Sequence, residues 1–559
     1  MFCLVLGSLF YYQAIKGKFY YRLSTQNRIR VISLEGSRGK IYDRNGTVLA
    51  DNRVSYTAAV IPQEIEDKEE LFRFIADILK KDPQVLRRRF LARKFTPFSP
   101  VVLYEDLSKE EAIRLQENRY RFPALLVQES YKRYYPLGKN SAHVLGYVGM
   151  TSEGEMEQLK EYGYSPRSVI GKTGVEKFYD HYLKGADGGT QVEVDSRGQQ
   201  VRLLGFKKPV QGEDITLTID AGLQAKALEL LEGRVGAIVM MDVYTGEVLA
   251  MASSPAYDPN IFVDDNRARE VSQALADKDA PVLNRAVKGA YPPGSVFKIA
   301  AAIAALSTKK ITEHTGFDCP GHYMLGRQRF RCTHVHGHQN LIDGIAHSCN
   351  VYFYSVGLLL GPDVLFEYAQ KLGLGKETHI DLPFENAGNV PSRQKLIKTK
   401  NIKWYGGNTL NMSIGQGDIL ATPLQLARMM ATVFLKGREV QPHLLKGVGG
   451  SPVKMYDFYR QLDIPQKYFE IVIKGMRATV ENYSGTAHIL DLPGMEVMGK
   501  TGTAQSSGDK EEHAWFAGVV KGPGRQLAFC VFLEHGGSSY NANLVARQLL
   551  THMKTENLL

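Results

Sequence analysis

The first fifteen residues, MFCLVLGSLFYYQAI, contain no acidic or basic side chain. The stretch is shorter than the ~20 apolar residues a full membrane span requires. It also lacks the basic start and small-residue cleavage site of a secretory signal. It reads as the outer part of a membrane anchor, residues 1–15, with its inner end expected outside this sequence; a buried N-terminal helix is the competing reading. A basic and aromatic juxtamembrane linker, residues 16–32, follows it and begins KGKFYYRL. No repeat of solenoid length and no low-complexity tract occurs, which sets aside repeat arrays. No nucleic-acid motif occurs either, so no nucleic-acid partner is expected. The net charge of +10 better suits an anionic membrane or cell-wall surface. The densest basic run, LRRRFLARKF from Leu86, reads as a solvated helix face.

What is present is ample for several cores. The chain has 559 residues, 44% of them hydrophobic and 23% charged, which predicts two or three globular domains. Residues 33–206 alternate strand-like runs with charged helices, one opening on the capping box Ser108-Lys109-Glu110-Glu111. KKPVQGEDITLTID (Lys207 to Asp220) reads as a linker into a strand. RVGAIVMMDVYTGEVLAMASS predicts two strands around a Tyr244-Thr245-Gly246 turn. GMEVMGKTGTAQ, HAWFAGVV and QLAFCVFLEHG predict three more closely connected strands near the C-terminus. GSVFKIAAAIAALSTKK and TPLQLARMMATVFLKG have the helical period. Strands at both ends with helices between them predict the α+β class, an antiparallel sheet covered by helices.

The chemistry concentrates in three short elements. In YPPGSVFKIAAAIAAL, Ser295 and Lys298 stand three apart at a helix start and share one face. A serine hydroxyl needs a base to become a nucleophile, and a desolvated lysine can serve. Five other pairs match this spacing, namely Ser37/Lys40, Ser307/Lys310, Ser392/Lys395, Ser451/Lys454 and Ser507/Lys510. Only Ser295 combines a helix start with an apolar continuation. AHSCNVYFYSVG then supplies Ser348 and Asn350, a hydroxyl and an amide two residues apart; Ser539 and Asn541 repeat that spacing but lie after the strands. MGKTGTAQ supplies Lys500, Thr501, Gly502 and Thr503 on a strand. Ser-x-x-Lys, Ser-x-Asn and Lys-Thr-Gly in this order form the set used by penicillin-binding proteins and serine β-lactamases.

On those motifs the chain resembles a class B penicillin-binding protein of the elongation type. SRGKIYDRNGTVLADN (Ser37 to Asn52) is similar to that family's stretch after its anchor. RYYPLGKNSAHVLGYVG (Arg133 to Gly149) and IGKTGVEKFYDHYLKG (Ile170 to Gly185) resemble its non-catalytic pedestal. GKTG thus occurs twice, and the resemblance assigns the copy at Gly171 to the pedestal, with Lys172 structural. The copy at Gly499, extended by Thr503, becomes the catalytic strand. The resemblance implies a non-catalytic pedestal over residues 33–206 and a transpeptidase domain over residues 207–559. It implies acyl transfer by a serine-type D-Ala-D-Ala transpeptidase or carboxypeptidase. In that reaction Ser295 is the nucleophile, Lys298 its base, Ser348 a proton relay and Asn350 a holder of substrate. Lys500, Thr501, Gly502 and Thr503 receive the terminal carboxylate, and the backbone N–H groups of Ser295 and Thr503 form the oxyanion hole. Implied partners are peptidoglycan stem peptides ending in D-Ala-D-Ala, β-lactams, rod-shape scaffold proteins, and a membrane glycan polymerase of the shape, elongation, division and sporulation family. The implied location is the bacterial inner membrane, single-pass, with the catalytic domain on the periplasmic side. A β-lactam receptor, a β-lactamase-like protein and a scaffold or activator of the polymerase are the alternative readings.

A second constellation, FDCPGHYMLGRQRFRCTHVHGHQN followed by IAHSCN, offers Cys319, Cys332, His338 and Cys349 as a Cys₃His site suited to structural zinc. The resemblance supports a zinc site here, and His334 and His336 are rival ligands. A Cys319–Cys332 disulfide with Cys349 as a free buried thiol is the alternative. Cys349, between Ser348 and Asn350, is expected to point away from both. Cys3 and Cys530 read as packing residues.

Overall fold

The computed structural model describes residues 2–20, 29–92, 100–159, 164, 168–194, 200–264, 267–394, 403–453, 459–506, 508 and 510–559. The chain divides into two compact units, the first made of residues 1–40, 50–134 and 181–214 and the second of residues 41–49, 135–180 and 215–559.

In the first unit, helix α1 (Phe2–Phe10) is nine residues long, and among the described residues no helix is long and apolar enough to cross a membrane. The side chain of Cys3 lies outside the described set. Strands β1 (Ile29–Leu34) and β2 (Val48–Val60) follow. Helix α2 (Lys68–Leu79) is capped by Asp67, whose carboxylate accepts the Glu69 and Glu70 amides. Helix α3 (Pro83–Ala92) turns Leu86 and Phe90 inward and leaves Arg87 and Arg88 exposed, the solvated basic face expected from the sequence; Arg93, Lys94 and Phe95 of that run lie outside the described residues. Strand β3 (Val101–Leu107) leads into α4 (Lys109–Glu117), which opens on the expected Ser108/Glu111 capping box. Strand β4 (Leu125–Tyr134) pairs antiparallel with β2. Val60, Leu71, Phe72, Ile75, Leu86, Phe90, Leu103 and Leu115 close this unit's core. Strands β5 (Gly188–Val194) and β6 (Gln200–Lys207) complete a separate antiparallel sheet in the order β1-β5-β6.

The second unit is built on one five-stranded antiparallel sheet. After helix α5 (Ala221–Glu229) come β7 (Gly236–Asp242) and β8 (Val248–Ser254). The Asp242 carboxylate accepts the Tyr244 and Thr245 amides, and Gly246 takes φ +81°, which closes the expected hairpin. Strands β13 (Glu496–Ala504), β14 (His513–Lys521) and β15 (Gln526–Leu533) enter from the other end of the unit's sequence. The sheet order is β8-β7-β15-β14-β13, so β8 and β13 are its edge strands. Alternation along the strands divides two cores. Ile238, Met240, Phe516 and Phe529 face α5 and α12 (Ser539–Thr555). The opposite face is covered by α10 (Pro423–Phe434), which opens on a Thr422/Gln425 capping box and is buried from Pro423 to Val433. Helix α6 (Lys298–Ser307) is buried from Lys298 to Leu306. A helix apolar on every side has no solvent face and belongs inside. Two layers of helix around an antiparallel sheet are the α+β arrangement that the sequence predicts.

The first GKTG lies in residues 135–180. A strand, Val169–Gly171, ends on its first glycine, and a helix, Gly174–Phe178, begins on its last. The Lys172 ammonium bonds Glu155 at 2.6 Å and holds that carboxyl down to about 2.

Candidate active site

Ser295 sits in a 3-10 turn, Gly294–Phe297, that runs directly into α6. In a 3-10 turn residues i and i+3 eclipse one another, which stacks Ser295 with Lys298 on one side. Two glycines let this turn approach β13. Gly294 has φ +53°, and a Cβ there would stand 2.6 Å from the Thr503 carbonyl oxygen. A Cβ on Gly502 would stand 2.8 Å from the Pro293 carbonyl oxygen. Any larger residue would wedge the serine away from the Lys-Thr-Gly strand.

The middle motif arrives on two helices, α7 (Leu341–Ala346) and α8 (Asn350–Lys371). Between them Ser348 takes φ +56°, a conformation costly for any residue but glycine and found where surroundings enforce it. This turn presents both its carbonyl and its hydroxyl to one partner. The Lys298 ammonium donates to the Ser348 carbonyl at 2.7 Å, to its Oγ at 3.3 Å and to Asn350 Oδ1 at 2.6 Å. Lys298 is fully buried, and desolvation lowers its pKa to about 8. Lys500 on β13 is likewise fully buried and held well below the usual lysine range, by burial first and by the charge of Lys298 second. Its ammonium donates to the Thr501 carbonyl and hydroxyl at 3.3 and 3.4 Å.

These elements enclose a cleft of about 1230 Å³ lined by Ser295, Ser348, Asn350, Thr501 and Thr503. The three motifs, distant in sequence, therefore meet. Lys298 is buried beside this lining, and Lys500 and Gly502, on β13 between the lining threonines, do not themselves line the cleft. Thr486 is a member that no sequence signal announces. Its hydroxyl stands 2.8 Å from that of Thr501, its amide donates to the Ala346 carbonyl, and Asn543 of α12 holds its carbonyl at 3.0 Å.

The cysteine and histidine constellation closes behind the middle motif. Cys319 ends β9 (Phe317–Cys319), the hairpin β10 (His322–Leu325) and β11 (Gln328–Arg331) follows, Cys332 comes next, and β12 (Gly337–Gln339) pairs with β9. Cys319, Cys332, His336 and Cys349 bring their ligand atoms within 4.8 Å of one another. The His336 Nδ1 lies 3.5 Å from both Cys319 Sγ and Cys332 Sγ, and Cys332 and Cys349 are 3.9 Å apart. The histidine is thus His336 and not His338. Gly337, at φ +63°, breaks the strand alternation that would have put both rings on one side. His338 pairs in register with Asp318 and bonds its carboxylate at 3.0 Å, out in solvent. Cys319, Cys332, Cys349 and Cys530 are all free thiols, so the Cys319–Cys332 disulfide does not form. A bond from Cys349, then amides of α8, draw the Cys332 thiol well below the usual thiol range. Three cysteine sulfurs and an imidazole within reach of one point form a soft donor set of the kind a thiophilic metal ion prefers. Cys349 also caps α8, accepting the Tyr352 amide, and Cys332 accepts the Asn350 amide at 3.1 Å. The cluster therefore grips the turn that aims Ser348 and Asn350 at Lys298. Cys530 is buried in β15 and packs.

Comparison with known proteins follows the same lines. Residues 236–551 match the penicillin binding protein transpeptidase domain, and residues 33–217 match the penicillin-binding protein dimerisation domain. The peptidoglycan D,D-transpeptidase MrdA of Haemophilus influenzae is 33% identical, covering 99% of this chain and 89% of that protein. MrdA of Escherichia coli K12 is also 33% identical, covering 98% of this chain and 91% of that protein. Among solved structures, the complex of penicillin-binding protein 2 with MreC from Helicobacter pylori superposes with a TM-score of 0.85 at 28% identity, covering 95% of this chain and all of that one. Penicillin-binding protein 2 of Pseudomonas aeruginosa in complex with WCK 5153 gives 0.73 at 31%, covering 93% and 96%. A peptidoglycan synthase complex coordinating polymerisation and crosslinking gives 0.74 at 32%, covering 98% and 95%. With its three motifs gathered in one cleft, and family and relatives matched over nearly its whole length, this chain belongs to the class B penicillin-binding proteins of the elongation type, the penicillin-binding protein 2 group.

Proposed function

We propose that the chain is a serine-type peptidoglycan D,D-transpeptidase that cross-links stem peptides during wall elongation and is acylated by β-lactams. The observation that carries this reading is the buried Lys298 amine, aimed at Ser348 and Asn350 under a cleft that also holds Ser295, Thr501 and Thr503. Ser295 Oγ attacks the carbonyl of the terminal D-Ala-D-Ala bond while neutral Lys298 takes its proton. The C–N bond breaks, Ser348 passes a proton to the departing D-alanine, and the acyl group stays on Ser295. Asn350 holds the substrate amide and Lys298 together. Thr501 and Thr503, with the Lys500 amine beside them, receive the substrate carboxylate. Backbone N–H groups of Ser295 and Thr503 stabilise the oxyanion. Attack on the ester by the amine of a second stem peptide gives the cross-link and returns the proton to Ser295; attack by water gives the carboxypeptidase reaction.

The Cys319, Cys332, His336 and Cys349 donor set fits structural zinc. Tetrahedral Zn–S bonds of ~2.3 Å set sulfurs ~3.8 Å apart, close to the 3.9 Å between Cys332 and Cys349. Zinc would supply a rigid crosslink behind the catalytic turn. The MreC and synthase complexes of the related proteins support a rod-shape scaffold protein and a membrane glycan polymerase as partners. The uncharged apolar start before Lys16 supports anchoring in the inner membrane, with the catalytic unit on the periplasmic side. The test is product analysis. Given polymerised glycan with D-Ala-D-Ala stems, the chain should yield cross-linked muropeptide dimers and free D-alanine, and Ser295→Ala should yield neither. Dimers formed by the Ser295→Ala variant would sink the reading.

A further inference from the structure

The wall of the cleft beside Asn350 has no role in the chemistry above. It is formed by β11, where Arg329, Phe330 and Arg331 all line the cleft. Alternation along a strand puts Arg329 and Arg331 on one face and Phe330 on the other. Phe330 meets the Tyr354 ring at 5.8 Å and packs over Gly407, where a Cβ would stand 3.3 Å from its ring. The two guanidinium groups are thereby left on the same side. Both are exposed, and among the described residues neither has a carboxylate within ion-pair distance; Arg329 meets only the His322 ring at 3.3 Å. The backbone beneath them is fixed. The Arg331 carbonyl accepts from Asn350 Nδ2 and from the Tyr354 hydroxyl, both at 3.3 Å, and the next residue is Cys332 of the metal-competent cluster. The carboxylates that do line the cleft, Glu512 and Glu534, are reached from β14 and β15, and Glu534 is already taken by Arg285 at 2.9 Å and Tyr291 at 3.1 Å.

Two like charges on one face of a strand without a counter-ion repel, and an anion that bridges them relieves that repulsion. A planar guanidinium matches a carboxylate in two-point fashion. The carboxylate at the scissile end of the substrate is received on the other side of the cleft, at Thr501 and Thr503, so a cationic wall here calls for another one. We propose that Arg329 and Arg331 form a second carboxylate subsite, which takes a free carboxylate at an internal residue of a stem peptide. The inference rests on the transpeptidase reading and adds a specificity element to it. The same chemistry is offered by the peptide that acylates Ser295 and by the peptide whose amine releases it.

The test uses the full chain and matched synthetic peptides ending in D-Ala-D-Ala, with either a free carboxylate or a carboxamide at one internal residue. In one arm the difference is placed on the acyl donor, in the other on the amine acceptor. The readout is the ratio of kcat/KM for carboxylate over carboxamide, which is independent of how much active enzyme each preparation holds. The unmutated chain should prefer the carboxylate by at least about tenfold in one arm, that being the scale of a lost charge-assisted contact. The double variant Arg329→Gln/Arg331→Gln should bring that ratio near one through KM. Arg327→Gln, at the exposed hairpin tip and outside the cleft lining, should keep the preference. The arm that responds identifies the peptide held. A ratio near one for the unmutated chain in both arms, or an unchanged ratio in the double variant, overturns the subsite alone. A chain that takes no acyl group from any donor, penicillin included, overturns the transpeptidase reading and the subsite with it.

Discussion

On the proposed mechanism Lys298 has to be neutral to act as a base, yet it also has to stay polar enough to be held. Full burial disfavours its charged form, and bonds to the Ser348 carbonyl and Asn350 Oδ1 keep the amine oriented. With its pKa lowered from the ordinary 10.5 to about 8, about a tenth of the chains carry the free amine at neutral pH. If the neutral form is the reactive one, as proposed, acylation by a chromogenic cephalosporin should rise as pH climbs through about 8 and then level off. A rate flat from pH 6 to 10 would remove Lys298 as the base. Lys298→Ala should slow acylation by ~10²–10⁴, the range of a lost general base, in stopped-flow measurements at pH 8. The gathering of Ser295, Lys298, Ser348, Asn350 and Thr501 was legible in the sequence because short-range spacing groups them within three motifs. His336 was not, since the choice among three histidines turns on the left-handed backbone of Gly337. Thr486 was invisible as well, because its neighbours Thr501, Ala346 and Asn543 come from three separate parts of the chain.

At the scale of elements, the geometry depends on a turn and a strand meeting at two glycines and on a helix start gripped by sulfur. Replacing Gly502 by alanine would set a Cβ 2.8 Å from the Pro293 carbonyl oxygen, too close for any ordinary contact. Gly502→Ala should therefore cut acylation at least ~100-fold, the scale expected of an ångström's misplacement, with far-ultraviolet circular dichroism unchanged. The Cys332 sulfur accepts the Asn350 amide while Cys349 caps α8. Elemental analysis should accordingly find one metal ion per chain, lost in Cys332→Ser. The same variant should melt several degrees lower and acylate more slowly, since α8 loses its brace. A metal-free chain indifferent to this substitution would show that the cluster is merely packed. The hairpin around Tyr244–Gly246 and the three C-terminal strands were readable from apolar runs and turn residues. The β10–β11 hairpin was not, because polar Gln328, Arg329 and Arg331 mask its period and its role appears only as a wall of the cleft.

On the whole-molecule scale, each unit closes its own core, one around Leu71, Phe72 and Ile75, the other around Phe516, Phe529 and Leu549. Ile75→Ala should cost about 2–5 kcal/mol of stability, from lost burial and the cavity left behind. Penicillin acylation should persist at its original rate, because every residue of the cleft lies in the second unit. Phe516→Ala, at a comparable cost of about 3–5 kcal/mol, should depress both stability and acylation. The α+β class was readable because strands cluster at both ends of the catalytic stretch with helices between them. The grouping of residues 135–180 with the second unit was not, since it follows from long-range packing such as the Tyr179 hydroxyl on the buried Asp381 at 2.6 Å. The most direct measurement is the intact mass of the chain followed over hours with a penicillin, beside Ser295→Ala. A stable adduct of one drug per chain, absent from the variant, is the expected result. An adduct that survives in Ser295→Ala, or one that vanishes as the drug is rapidly hydrolysed, would contradict a slowly deacylating transpeptidase built on Ser295.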